Sequence, residues 1–300
     1  MGCGHVQACR SSSKAVWSIG RDGPKVFSIA RVIMEPHSRI IPTPYPDLNR
    51  VLEILVDSTR DLLSTNFVGA YLQGSFAVGD FDIHSDVDFI IVTVDELSDD
   101  QVDALQTMHR RVYDLTSPWA QHLEGSYFPQ KVLRDYTERG KQLWYLDHGA
   151  SSLIKSDHCN TIVVRRVVRE KGVTMAGPPP ITLVARIPVE LFLAEIKEVI
   201  VDWGREIIAN PKRYNNHFYQ TFIVLSYCRM LHDLRTGKPG SKRAGADWAK
   251  ANLEPSWSSL IDRAWLGRPD PASSVKRTAD PQDFEDTLRL IRHVVEESKH

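Results

Sequence analysis

Apolar positions along the chain fall into two regimes. Between residues 67 and 94, FVGAYLQGSFAVGDFDIHSDVDFIIVTV, two short apolar runs are separated by Gly74-Ser75 and by Asp86-Val87-Asp88. Runs of that length, rich in β-branched residues and apolar on both faces, predict buried strands at 68–73 and 87–94. From Pro188 onward the spacing becomes helical, with Val189, Phe192, Leu193, Ile196, Val199, Ile200 and Trp203 on one stripe. Further helices are predicted at 216–236, stopped by Gly237, and at 242–252, capped by Ser241. Two more follow at 256–266 and 281–297, the last with Pro281 in its first turn.

The same reading fills in the first half. Pro42 to Pro46 is an extended lead-in to a helix capped by Asp47, with Leu48, Val51, Leu52, Leu55, Leu62 and Leu63 on its apolar side. Phe76 to Val78 forms a short helical turn broken by Gly79, and a helix capped by Ser98 spans 98–114. A third strand is expected at 122–128. Residues 129–158 carry no clear period, and Trp144, His148, Asp157 and His158 are irregularly spaced in a way that suits surface loops rather than a metal site. A helix at 159–171 sets Val163, Val164, Val167 and Val168 against a solvated face of Arg165, Arg166 and Arg169. An edge strand fits 173–176, and Gly177-Pro178-Pro179-Pro180 marks a domain boundary.

The expected fold class is therefore α+β: an α/β domain with a short mixed sheet at 34–180, then an all-α bundle of five helices at 181–300. Residues 1–33 hold a Ser-Ser-Ser run, several glycines and no apolar core, which predicts a disordered extension; Met34 would serve as a translation start.

Composition narrows the function classes. The chain has 300 residues, 42% hydrophobic and 25% charged, and a formal net charge of −1. That balance gives no electrostatic footprint for nucleic acid, and no apolar run approaches a membrane span. Cys3, Cys9, Cys159 and Cys228 are scattered, which suits a reducing cytoplasm rather than a disulfide frame. A monomer is expected.

The chemistry begins at Asp86 and Asp88. On a strand, positions two apart share a face, so the two carboxylates would sit side by side at the mouth of a buried strand. Unpaired they repel, and a bound Mg²⁺ removes the conflict because hard cations take carboxylate oxygens and share them with phosphates. The order of apolar run, Gly-Ser, Asp-x-Asp and apolar run resembles the DNA polymerase β-like nucleotidyltransferases. That resemblance implies that Gly74 and Ser75 hold a nucleoside triphosphate, that Asp86 and Asp88 hold magnesium, and that Glu124, on the neighbouring strand, completes the metal site and acts as general base. A carboxylate within reach of an attacking hydroxyl can take its proton.

Lys242 and Arg243 open a helix, where cations oppose the macrodipole unless an anion sits there too. Arg229 lies between Leu225 and Leu231, where a guanidinium needs a partner and phosphate suits its fork. The run RMLHDLRTGKPGSKRAGADWAKANL from Arg229 to Leu253 resembles the C-terminal domain of aminoglycoside adenylyltransferases of the streptomycin/spectinomycin type. The resemblance implies that Arg229 and Lys242 hold ATP phosphates and that Trp265 touches the nucleotide. It departs from the family at Asn215-Asn216-His217-Phe218-Tyr219-Gln220, which lacks the acids that face cationic drugs. The expected activity is Mg²⁺-dependent transfer of AMP from ATP to a hydroxyl of a small molecule, an aminoglycoside or another hydroxyl compound, with release of pyrophosphate. Modification of a protein or RNA and a non-catalytic nucleotide-binding module are the alternatives.

Overall fold

The computed structural model describes residues 41–268 and 274–299; the expectations for residues 1–33 and for Met34 lie outside them. The chain from Ile40 onward forms one compact unit. Its first half is a six-stranded mixed sheet between two layers of helices. The strands are β1 (Phe67–Leu72), β2 (Val87–Thr93), β3 (Leu123–Pro129), β4 (Leu143–Leu146), β5 (Leu153–Ser156) and β6 (Val173–Ala176), in the order β5-β4-β3-β2-β1-β6. Only β2 and β3 run parallel; the other neighbours are antiparallel.

One face of the sheet packs on α1 (Pro46–Leu63) and α3 (Asp99–Tyr113), joining Leu48, Leu52, Leu55 and Leu105 to Leu72, Phe89, Ile91 and Tyr127. The other face carries Tyr71, Ile90, Val92 and Phe128 against α4 (Gln130–Arg134), α5 (Ile162–Lys171) and α6 (Pro180–Leu183). The doubly apolar strands are thus covered on both sides, as parallel pairing requires.

Several boundaries follow from local chemistry. Ser98 caps α3 in a reciprocal arrangement with Gln101, and Gly237 ends its helix in a left-handed turn at φ 68°. Asp47 is not a cap: α1 begins at Pro46 after Tyr45, and Asn49 instead binds the Thr43 backbone and hydroxyl. Leu62 leaves the apolar side and is exposed, as are Val189 and Val199, each at the edge of its stripe. Residues 129–158 hold β4 and β5, which were not foreseen.

The second half contains α7 (Val189–Ala209), α8 (Pro211–Tyr214), α9 (His217–Thr236), α10 (Lys242–Asn252), α11 (Ser258–Leu266) and α12 (Pro281–Glu297) around their own core of Phe192, Ile196, Ile200, Ile223, Tyr227 and Ile291. Helix α9 is central to it, touching α7, α10, α11 and α12. Gly245 of α10 permits the closest approach, because a Cβ there would lie 2.4 Å from the Cα of Arg229.

The solvated basic face expected on α5 does not exist. Arg165 is fully buried, donating to the carbonyls of Thr161 (3.0 Å) and Val132 (2.8 Å) and to Asn160 (2.6 Å). Arg166 lies over the Phe192 ring at 4.3 Å, and Arg169 bonds the carbonyls of Ile181 and Val184. A buried guanidinium is tolerable because both of its terminal nitrogens meet oxygen acceptors, while Nε has no partner among the described residues.

Glu195 of α7 ties the halves together. Its carboxylate accepts the amides of Ile162 (2.9 Å) and Val163 (2.8 Å), two of the donors that the first turn of α5 cannot satisfy itself. Glu195→Ala would leave both amides buried and unmet. We expect a loss of about 3 kcal/mol, the scale of charge-assisted hydrogen bonds, measured as a lower urea midpoint at unchanged slope.

Candidate active site

A cleft of about 660 Å³ opens between the sheet half and the helical half. The end of β1 turns sharply into α2 (Gly74–Val78) at Gly74, where φ is +58°. No side chain fits there: a Cβ would come 1.9 Å from Oδ2 of Asp88. The turn therefore presses against the acid pair. Ser75 points a buried hydroxyl that has no partner among the described residues.

Asp86 stands one residue ahead of β2 and Asp88 lies within it. Parallel pairing places Asp88 directly beside Glu124 of β3. Burial, with Glu124 and Asp86 alongside, pushes the Asp88 carboxyl up to about 8, against the pull of Lys242 and Arg229. Asp86 is also raised by burial, but the hydrogen bond from His148 and the nearby positive charge more than reverse this and hold it below the usual carboxylate range. Hard oxygen donors in mutual repulsion, beside an unmet hydroxyl, fit a magnesium ion carrying phosphates. Asp86, Asp88, Glu124, Gly74 and Ser75 all line the cleft.

The helical half supplies the opposing charge. Lys242 and Arg229 line the same cleft, neither within 4 Å of a carboxylate among the described residues, and both act on Asp88 through space. Lys242 sits 4.5 Å over the Phe222 ring, and burial together with Arg229 lowers its ammonium to about 8. Trp265 lines the cleft between two guanidinium groups, Arg268 at 3.7 Å and Arg243 at 4.9 Å. Arg243 itself turns to Asp247 and is exposed.

Several groups were not legible beforehand. His148 and His158 are not free surface histidines. His148 Nδ1 lies 2.8 Å from Asp86, His158 Nε2 lies 3.2 Å from Glu124, and each carboxylate raises the basicity of its imidazole through that bond. Tyr145 donates to Glu124 at 2.7 Å and lies 3.0 Å from Asp147. The loop that carries Asp86 is fastened to the helical half twice, by Asp80 with the Ser241 hydroxyl and by Asp82 with Arg268 at 2.6 Å. The apolar run Leu143–Leu146 followed by Asp147-His148-Gly149 is the one local signal, strand then turn, that could have led to Tyr145 and His148.

Residues 182–282 match a family model described as the C-terminal domain of aminoglycoside adenylyltransferase. A spectinomycin 9-adenylyltransferase of Staphylococcus aureus is 23% identical over 227 residues, covering 69% of this chain and 80% of that protein. One from Enterococcus faecalis is 26% identical over 212 residues, covering 67% and 77%. In fold, the chain superposes on the crystal structure of a spectinomycin adenyltransferase from Enterococcus faecalis, solved with ATP and spectinomycin. That match has a TM-score of 0.62 at 16% identity, over 84% of this chain and 99% of the other. The helical half thus resembles the C-terminal domain of the aminoglycoside adenylyltransferases. These likenesses support a nucleotidyltransferase, and the α+β architecture expected from the residue pattern is the one the chain has.

One property of this cleft can be read without substrate. Asp88 carries a folded-state pKa above its unfolded value, so in that interval the folded protein holds more protons than the unfolded chain. Stability then falls as pH rises toward 8. Asp88→Asn removes this burden. In chelator at pH 8 the variant is expected to melt roughly 2–4 °C higher than the parent, the shift of about one kcal/mol for a chain of this size, with the gain vanishing near pH 4. Thermal melts at the two pH values check it.

Proposed function

We propose that the protein transfers AMP from ATP to a hydroxyl group of a small aminocyclitol antibiotic of the spectinomycin class, releasing pyrophosphate. The observation that carries this reading is the facing of Asp88 and Glu124, neighbours across β2 and β3, by Arg229 and Lys242 across one cleft. Acids on one wall and cations on the other suit a metal-bound triphosphate, which needs both. The relatives named above, which act on spectinomycin by their descriptions, support the acceptor class.

In this scheme Gly74 and Ser75 cradle the phosphates from the sheet side, and Arg229 and Lys242 grip them from α9 and α10. Trp265 offers a ring at the same end of the cleft. Asp86 and Asp88, with Glu124, would hold Mg²⁺, which supplies neutralisation of phosphate charge when bound. Glu124 takes the proton from the acceptor hydroxyl. The freed oxygen forms a bond to the α-phosphorus as the bond to pyrophosphate breaks, and the products are the adenylylated acceptor and pyrophosphate. Tyr145 and His158 hold Glu124 in place while it does so. Much of the acceleration is positioning of reactants already charged and aligned.

On the helical wall of the cleft, the residues from the start of α9 are not acidic. Helix α9 turns Phe218, Thr221 and Phe222 toward the cleft, and the two phenyl rings stack at 5.7 Å. Asp147, at the end of β4, is the acid best placed to meet an amino group of the acceptor. Such a wall favours a compact, lightly charged acceptor over an extended polycation.

Pyrophosphate release in the presence of ATP and Mg²⁺ tests the proposal, with spectinomycin, streptomycin and other aminoglycosides as acceptors. Release is expected with spectinomycin and not without an acceptor. Asp86→Asn and Asp88→Asn should abolish it. Glu124→Gln should bind ATP as the parent does but turn over about 10²–10⁴-fold more slowly, the range for losing a general base. Undiminished turnover in any of the three variants would overturn the assignment.

A further inference from the structure

Beside the acid pair lies a second set of donors with a different chemistry. Asp86, His122 and His148 each offer one ligand atom, and these atoms lie within 4.8 Å of one another. They come from three separate segments: the residue ahead of β2, the residue ahead of β3, and the turn after β4. Main-chain hydrogen bonds hold the segments together. The Val87 amide donates to the carbonyl of His122 at 2.8 Å, and the Gly149 amide donates to the carbonyl of Gln121 at 3.1 Å. The His122 and His148 rings meet edge to face at 5.3 Å, and His122 rests on Trp119 at 5.9 Å. Nδ1 of His122 is buried with no partner among the described residues.

We propose that Asp86, His122 and His148 form a binding site for a borderline divalent cation, Zn²⁺ or its close analogues, distinct from the magnesium-nucleotide position but sharing Asp86 with it. Two imidazoles and one carboxylate with open positions are a zinc-type set, whereas magnesium prefers oxygen donors and keeps its waters. Donor atoms around a zinc ion are about 3.3 Å apart, from metal–ligand distances near 2 Å. His148 and Asp86 are already at 2.8 Å, so a small rotation of His122 closes the set. All three residues are half-buried and Asp86 and His148 line the cleft, so the ion can enter and leave from that side. Zinc on Asp86 draws that carboxylate away from Asp88. The cation would then compete with productive nucleotide binding; this last clause alone rests on the function proposed above.

Cobalt(II) titration of the metal-free protein, without nucleotide or acceptor, tests the site, because four- or five-coordinate Co²⁺ with nitrogen ligands absorbs visibly far more strongly than the aqua ion. The parent protein should develop this band to one equivalent. Zn²⁺ should abolish it, and Mg²⁺ should not. His122→Gln and His148→Gln should each weaken Co²⁺ binding at least tenfold, while Glu124→Gln should retain it. Far-UV spectra and melting curves of the variants establish that they are folded. As a check that needs no variant, Zn²⁺ should protect His122 and His148 of the parent from diethyl pyrocarbonate, read by peptide mapping. An aqua-like cobalt spectrum, histidine variants that titrate as the parent does, or unchanged labelling of the two histidines would each overturn the proposal. The readout requires no turnover, so failure of AMP transfer would leave it standing.

Discussion

The parallel pairing of β2 with β3 is the constraint on which the rest of the molecule turns. It aligns Asp88 with Glu124 and so places like charges together at the edge of a dry core. Left alone, that arrangement costs stability, as the raised Asp88 carboxyl records. The remaining architecture answers it. The helical half brings Lys242 and Arg229 across the cleft, Gly74 leaves room for the Asp88 carboxylate against the β1 turn, and Tyr145 and His158 fix Glu124 from β4 and the segment after β5. A protein selected for stability alone would have no use for such a concentration of charge; a site that handles phosphates does.

The two halves meet through apolar packing of Ile162 and Val163 on the helical core and through directional polar contacts. Glu195 completes the first turn of α5, and Arg139 of the sheet half approaches the same carboxylate at 3.5 Å. Asp80 and Asp82 reach from the loop after α2 to Ser241 and Arg268. Directional contacts of this kind set a relative orientation more sharply than apolar surface does, because a hydrogen bond lost by a small slide is lost outright. They suit a cleft whose opposing charges must face each other within a few ångströms.

Much of the fold was legible because its signals are local. Ser98, Gly237, Ser241 and Pro281 each act over a turn or two, and their elements lie where the pattern put them. The acid pair and the cations opposite were legible because their spacing fits strand and helix geometry, and the cleft does gather Gly74, Ser75, Asp86, Asp88, Glu124, Arg229, Lys242 and Trp265. Strands β4 and β5 were not, since four residues give no period to count and Leu143–Leu146 is apolar throughout. Arg165 was misjudged for a related reason: the acceptors that let it be buried come from Val132 and Asn160, one of them 33 residues away. His148 and His158 looked like loop residues because their partners, Asp86 and Glu124, are remote in sequence. What the pattern of residues cannot express is partnership across the sheet.

The loop of residues 79–86 carries a consequence of its own. The same short segment supplies Asp86 and reaches the opposite wall through Asp80 and Asp82. On the function proposed above, any parting of the walls would therefore pull on the segment that carries a metal ligand.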